Sequence, residues 1–247
     1  MEHQITLIIG ANSEIAKAIA NKVIADAHRT LIVVSRNTNF YQQAHFSKAN
    51  IIPIKNYQED EIRQTVKSIK TEAHLHKATI SQVYICHGLL HSDSVKPEKR
   101  LEDFSADSYN EVITANTITP ILWLKHLTPL LSSKDNCKIT FFSARVGSIS
   151  ENKLGGWYSY RASKAGLNML LKSAAVELSR RAKNIKLISF HPGTTNSPLS
   201  KPFQKNVPKG KLFTSDFVAA QLLNIVSDTV LDGEVSYLDW NGEVIGW

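Results

Sequence analysis

Short apolar runs alternate with longer stretches of helical periodicity along the chain, and this alternation narrows the fold more than any single motif. "QITLIIG" (4 to 10) reads as a buried strand, and "SEIAKAIANKVIADA" (13 to 27) follows with Ile15, Ile19 and Val23 at helical spacing and Ser13 as N-cap. "TLIVVSR" (30 to 36) and "NIIPI" (50 to 54) are the second and third strands, and "EDEIRQTVKSIKTEA" (59 to 73) is an amphipathic helix with Ile62, Val66 and Ile69 inward. "QVYICHG" (82 to 88) is a fourth strand, 105 to 131 a long helical stretch expected to kink at Pro120, and "CKITFFS" (137 to 143) a fifth strand. A helix over 158 to 181, a strand "IKLISFHPG" (185 to 193), a helix over 215 to 228 and an edge strand "GEVSYLD" (233 to 239) complete the pattern. The segment 194 to 212 is rich in Pro and Lys without periodicity, which predicts a loop or lid.

Strands that alternate with helices pair in parallel, because each helix carries the chain back to the same edge of the sheet. The expectation is an α/β, doubly wound parallel sheet of about seven strands with helices on both faces: one Rossmann domain over 1 to 247, with ligands at the carboxyl ends of the strands.

Composition removes several function classes. The chain has 43% hydrophobic and 21% charged residues, the balance of a soluble globular protein. No segment approaches the roughly 18 apolar residues of a membrane span, and "MEHQITLIIGAN" carries no basic leader, so a cytoplasmic location is expected. Cys86 and Cys137 both fall in strand-like runs, where a free cysteine is a small hydrophobe, and point to a reducing compartment. The net charge of +7 concentrates at 179 to 186 and 200 to 211. With no nucleic-acid motif beside it, it reads as a solvated surface or as attraction for a phosphate-bearing cofactor. The histidines and cysteines match no standard metal spacing, and no G-x-S-x-G elbow supports serine hydrolysis.

Three local features carry chemistry. Gly10 ends the first strand just before a helix opens; it fits a tight turn as well as a phosphate resting on the helix N-terminus. The second strand ends in Ser35, Arg36 and Asn37, with no Asp or Glu for a ribose 2′-OH, and Ser35 and Arg36 can both donate to a 2′-phosphate. Tyr160 and Lys164 stand four apart on one helix face. A phenol of pKa about 10 is a poor acid or base at neutral pH, and a neighbouring ammonium is expected to bring it closer to the working range.

Taken in order along the chain, "GANSEIA", "ICHG", Asn116, "SARVGSISENKLGGWYSYRASKAGLN" and "HPGTTNSPLSKPF" resemble the short-chain dehydrogenase/reductase family over nearly the whole length, and most closely its C-factor-like branch. The resemblance implies an NADP(H)-dependent oxidoreductase of carbonyl reductase type, acting on a small carbonyl or alcohol substrate, as a homodimer or homotetramer. It gives catalytic roles to Tyr160, Lys164, Asn116 and Ser143, with Tyr160 exchanging the proton and Asn116 holding a relay water. It lines the cofactor with Gly10, Asn12, Ser13, Glu14, Ile15, Ser35, Arg36, Asn37, Gly88, Tyr160, Lys164, Pro192, Gly193, Thr194, Thr195 and Ser197. Three departures accompany it: Glu14 and Ala16 replace glycines, the tetrad after the fourth strand keeps only Gly88, and Ala144 occupies the usual serine position. Ser143 or Ser148 must then reach in, or neither does. A nucleotide-binding sensor of the same fold with little turnover is the alternative function.

Overall fold

The computed structural model describes residues 3–247. A seven-stranded sheet is built from β1 (Gln4–Ile9), β2 (Arg29–Ser35), β3 (Asn50–Pro53), β4 (Thr79–Ile85), β5 (Cys137–Phe142), β6 (Ile185–His191) and β9 (Val235–Asp239), in the order β3-β2-β1-β4-β5-β6-β9. Every pairing in it is parallel. The helices are α1 (Glu14–Ile24), α2 (Glu59–His76), α3 (Ala106–Ile113), α4 (Thr119–Leu131), α5 (Tyr158–Arg181) and α6 (Ser215–Asp228).

Side chains alternate faces along each strand, so the continuous apolar runs feed two cores. Leu7, Ile32, Ile139 and Leu187 meet Ile62 of α2, Trp123 of α4 and Leu167 of α5 on one side. Ile8, Val33 and Ile188 meet Ile19 of α1 and Leu222 of α6 on the other. The strand order reverses between β1 and β4, which opens a crevice at their carboxyl ends. This is the doubly wound architecture expected from the alternation.

Local boundaries differ in instructive places. The fourth strand begins at Thr79 and ends at Ile85, three residues earlier than its apolar run suggests, because Cys86 to Gly88 leave the sheet toward the crevice. The long helical stretch is interrupted just before Pro120, where a kink is expected. A π-helical turn over Thr114–Ile118 separates α3 from α4, and Pro120 follows directly after it in the first turn of α4. The segment expected to be a plain loop also carries structure: β7 (Thr194–Thr195) and β8 (Leu212–Phe213) pair in parallel, with a 3-10 turn over Lys201–Asn206 between them.

Candidate active site

Gly10 follows β1 at φ +72°, and a Cβ there would lie 3.1 Å from the Cys86 carbonyl oxygen. Only glycine combines that left-handed backbone with so close an approach to the neighbouring strand. Ser13 then caps α1, its Oγ accepting from the Ala16 N–H at 3.2 Å. Glu14 lies at the first position of α1, and its carboxylate pairs with Lys17 at 2.8 Å, which offsets the negative charge at that end of the crevice.

Beside this turn lies a cavity of about 540 Å³, walled by Gly10, Asn12, Ser13, Ser35, Arg36, Asn37, Tyr57, Cys86, His87 and Gly88. The Arg36 guanidinium lies 5.0 Å above the Tyr57 ring, and the His87 ring meets that tyrosine edge-on at 4.4 Å. Ser35 is not a free donor: its buried hydroxyl donates to the Asn37 carbonyl at 2.8 Å and accepts from the Asn37 N–H. Arg36 is left as the wall's cation. Burial holds the His87 imidazole well below its ordinary pKa, down to about 3, with Arg36 and Lys164 acting in the same direction, so it is neutral.

A second cavity of about 340 Å³ shares Asn12, Ser13, Cys86, His87 and Gly88 with the first and adds Ile15, Ser143, Tyr160, Lys164, Pro192 and Ser197. A third, of about 250 Å³, continues from Ile15, Ser143, Tyr160, Pro192 and Ser197 to Gly193, Thr194 and Thr195. Its outer wall is Leu90, Val146, Trp157, Leu199, Phe203 and Val207, with no charged side chain in the lining. Gly193, at φ +67°, lets the Phe213 ring pack where a Cβ would come within 2.6 Å of it. The three cavities join into one cleft from Arg36 to Trp157.

Tyr160 and Lys164 project from α5 into this cleft. The helix start has no cap of its own; Trp157 sits in the left-handed region, and the buried Glu98 carboxylate accepts from the Ser159 N–H and hydroxyl. Farther along, Gly147 lies so close to α5 that a Cβ would stand 2.8 Å from Lys164 Cβ. Lys164 Nζ donates to the Phe142 carbonyl at 2.7 Å and lies 5.8 Å from the Tyr160 ring centre. The electrostatics differ from the expected tuning. Burial, not the ammonium, dominates: it pushes the Tyr160 phenol up and lowers Lys164 to about 7.

Asn116 sits in the π-helical turn, fully buried, and its amide is spent on the protein. Oδ1 accepts from the Leu89 N–H at 2.7 Å, and Nδ2 donates to the Leu89 carbonyl at 2.8 Å and to Ser163 Oγ at 3.0 Å. It braces the loop after β4 against α5, directly behind Tyr160. Of the two serines, Ser143 lines the cleft beside Tyr160, with its hydroxyl at 2.8 Å from Asn168 Oδ1. Ser148 instead turns to Ser150 and the Glu151 N–H. Tyr57, Glu98, Trp157 and Asn168 escaped the sequence reading, since each meets the site from a segment whose local pattern says nothing of it. Among the described residues no three His, Cys, Asp or Glu side chains gather as a metal site, and no helix is long and apolar enough to cross a membrane.

The family model of short chain dehydrogenases matches residues 4–208. A 1-hydroxy-2-glutathionyl-2-methyl-3-butene dehydrogenase from Rhodococcus sp. is 28% identical over 57% of this chain and 59% of its own length. C-signal from Myxococcus xanthus is 25% identical over 54% of this chain and 75% of its own. Among solved structures, the carbonyl reductase Sniffer of D. melanogaster superposes with TM-score 0.83 at 20% identity, covering 100% of both chains. An NADPH-bound carbonyl reductase from chicken fatty liver superposes with TM-score 0.80 at 18% identity, also covering 100% of both.

Proposed function

The chain belongs to the short-chain dehydrogenase family, with C-factor-like relatives, and from that membership we propose that it is an NADPH-dependent carbonyl reductase, or in reverse an alcohol dehydrogenase. The observation that carries this reading is the single cleft that runs from Arg36 past Gly10 to Tyr160 and Lys164.

The residues present fit a dinucleotide phosphate. Gly10 permits close backbone approach, the capped start of α1 offers unpaired N–H groups, and Arg36 supplies a cation where a 2′-phosphate would be read. Ile15, Pro192, Gly193, Thr194, Thr195 and Ser197 would border the nicotinamide. When bound, NADPH supplies the hydride. Tyr160 carries the proton: burial keeps its phenol protonated at pH 7, and the proton leaves for a carbonyl oxygen as hydride transfer makes that oxygen basic. Lys164 faces the phenolate that this transfer leaves, and Ser143 can donate to the same substrate oxygen. Asn116 keeps the loop after β4 and α5 in register behind the reacting atoms.

The apolar outer wall favours an uncharged carbonyl compound of modest size, with 194 to 212 as the lid over it. On this reading the whole chain is one nucleotide-binding domain, cytoplasmic and homo-oligomeric, with Tyr158, Met169 and Val176 on the exposed side of α5 as the contact face.

Fluorescence titration with NADPH and NADH, followed by turnover over a panel of aldehydes, ketones and alcohols, tests the reading. NADPH should bind more tightly, and Arg36→Asp should move the preference toward NADH by about tenfold or more, the worth of a charge-assisted hydrogen bond. Equal binding of both cofactors by the unaltered protein removes Arg36 from the account. NADPH binding without turnover across the panel favours the sensor, for which Ala144 in the usual serine position is the supporting observation.

A further inference from the structure

Behind the serine that faces the cleft lies a small buried polar group that the proposed chemistry does not yet use. Asn168, one turn beyond Lys164 on α5, is buried, and its Oδ1 is 2.8 Å from Ser143 Oγ and 2.7 Å from Ser189 Oγ. In this orientation both hydroxyls donate to one oxygen, and Asn168 Nδ2 is buried without a hydrogen-bond partner. Two buried N–H donors left unmade are costly. The arrangement also directs the Ser143 proton away from the substrate oxygen, toward the helix.

A half-turn of the amide about χ2 exchanges nitrogen and oxygen at almost no steric cost. The two N–H groups of Nδ2 then meet the two serine oxygens at the same short distances, one each, at the expense of a single carbonyl oxygen. Ser143 now accepts from the protein, and its own hydrogen is free to turn into the cleft, where Tyr160 lines the same wall. Ser143 is held for this: its backbone N–H donates to the Phe190 carbonyl at 2.8 Å, fixing the residue at the end of β5. On the far side, Tyr237 of β9 donates its hydroxyl to the Ala144 carbonyl at 2.7 Å, which pins the next residue of the same turn.

We propose that Asn168 is a positioning residue: its amide N–H groups donate to Ser143 and Ser189, so that the Ser143 hydroxyl presents its hydrogen to the substrate oxygen beside Tyr160. This rests on the reading of the cleft as a carbonyl reductase site. It also bears on the serine question, because Ala144 occupies the usual position and a serine one residue earlier must be turned toward the substrate by something behind it.

The test is a double-mutant cycle in the full-length protein, using NADPH and a carbonyl compound that the unaltered protein reduces. Asn168→Ala removes the donors, and Asn168→Asp keeps the shape while offering only acceptors, which draws the Ser143 proton back toward the helix. Each should lower kcat by about tenfold or more, as loss of a donor to a developing oxyanion does, while KM and the NADPH Kd stay within about twofold. In a Ser143→Ala background the same changes should have almost no further effect, because the group they orient is gone. Equal losses with and without Ser143, an unaffected kcat, or an NADPH Kd that weakens in step with kcat would each overturn the role of Asn168. If the unaltered protein binds NADPH and reduces none of the panel, the carbonyl reductase reading falls and this inference with it; turnover with additive losses overturns the inference alone.

Discussion

Where β1 turns into α1, the cleft is shaped mostly by main chain: Gly10 in the left-handed region, a serine cap, and the free N–H groups of a helix start. Where β5 turns toward α5, it is shaped by side chains held from several directions, with Lys164 on the Phe142 carbonyl, Ser143 on Asn168 and the helix start on Glu98. The first end tolerates Glu14 and Ala16 in place of glycines, because neither site needs a positive φ: both lie within the regular α1 helix, Ala16 buried and Glu14 paired with Lys17. The second end keeps the spacing of tyrosine and lysine. Main-chain geometry survives side-chain change, whereas at the side-chain end the change at Ala144 has to be met by another side chain, Ser143.

Lys164→Met should break the side-chain end most severely. We expect kcat to fall by about a hundredfold or more, the usual worth of an acid–base partner, with no loss of stability. The sign follows from burial: a lysine held at about 7 when folded and 10.5 when unfolded binds fewer protons in the native state. The native protein therefore gains stability as pH rises from about 7 to 10.5, by at most about 1.4 kcal/mol per pH unit. Denaturant unfolding across that range should lose this slope in the variant.

Gly147→Ala comes next. Its Cβ would lie 2.8 Å from Lys164 Cβ and 2.9 Å from the Lys164 carbonyl carbon, and the backbone atom cannot swing aside. The 3-10 turn must lift from α5, which should cost about 1–3 kcal/mol in chemical denaturation and lower kcat as Lys164 shifts. The smallest effect belongs to the main-chain end: Glu14→Gly should change the NADPH Kd by no more than about threefold in a fluorescence titration, since Lys17 already offsets the carboxylate and exposed pairs are worth about 1 kcal/mol or less.

The contrast also explains what the sequence could tell. Alternating strand and helix patterns revealed the parallel sheet, because buried strands and amphipathic helices leave their periods in neighbouring residues. The glycine of the first turn, Pro192-Gly193, and Tyr160 four before Lys164 are likewise local. Contacts made across long separations left no such trace. Glu98 caps a helix 61 residues away, Tyr57 supports Arg36 from the loop after β3, and Asn168 reads simply as a helix residue until β5 and β6 bring Ser143 and Ser189 to it. Pro120 marked the neighbourhood of the irregularity, but not that it takes the form of a π-helical turn whose Asn116 bonds across the fold. The phenol's environment also depends on how deeply the cleft is buried, which no i to i+4 spacing reports.

The central claim is that the Tyr160 hydroxyl delivers the proton, while cofactor affinity rests mainly on the Gly10 turn and Arg36 at the other end of the cleft. The most direct measurement pairs NADPH titration with single-turnover reduction in Tyr160→Phe. The account predicts that NADPH binds within about twofold of the unaltered protein while reduction falls by about a thousandfold or more, within the reach of acid catalysis. A variant that retains most of its turnover would contradict it.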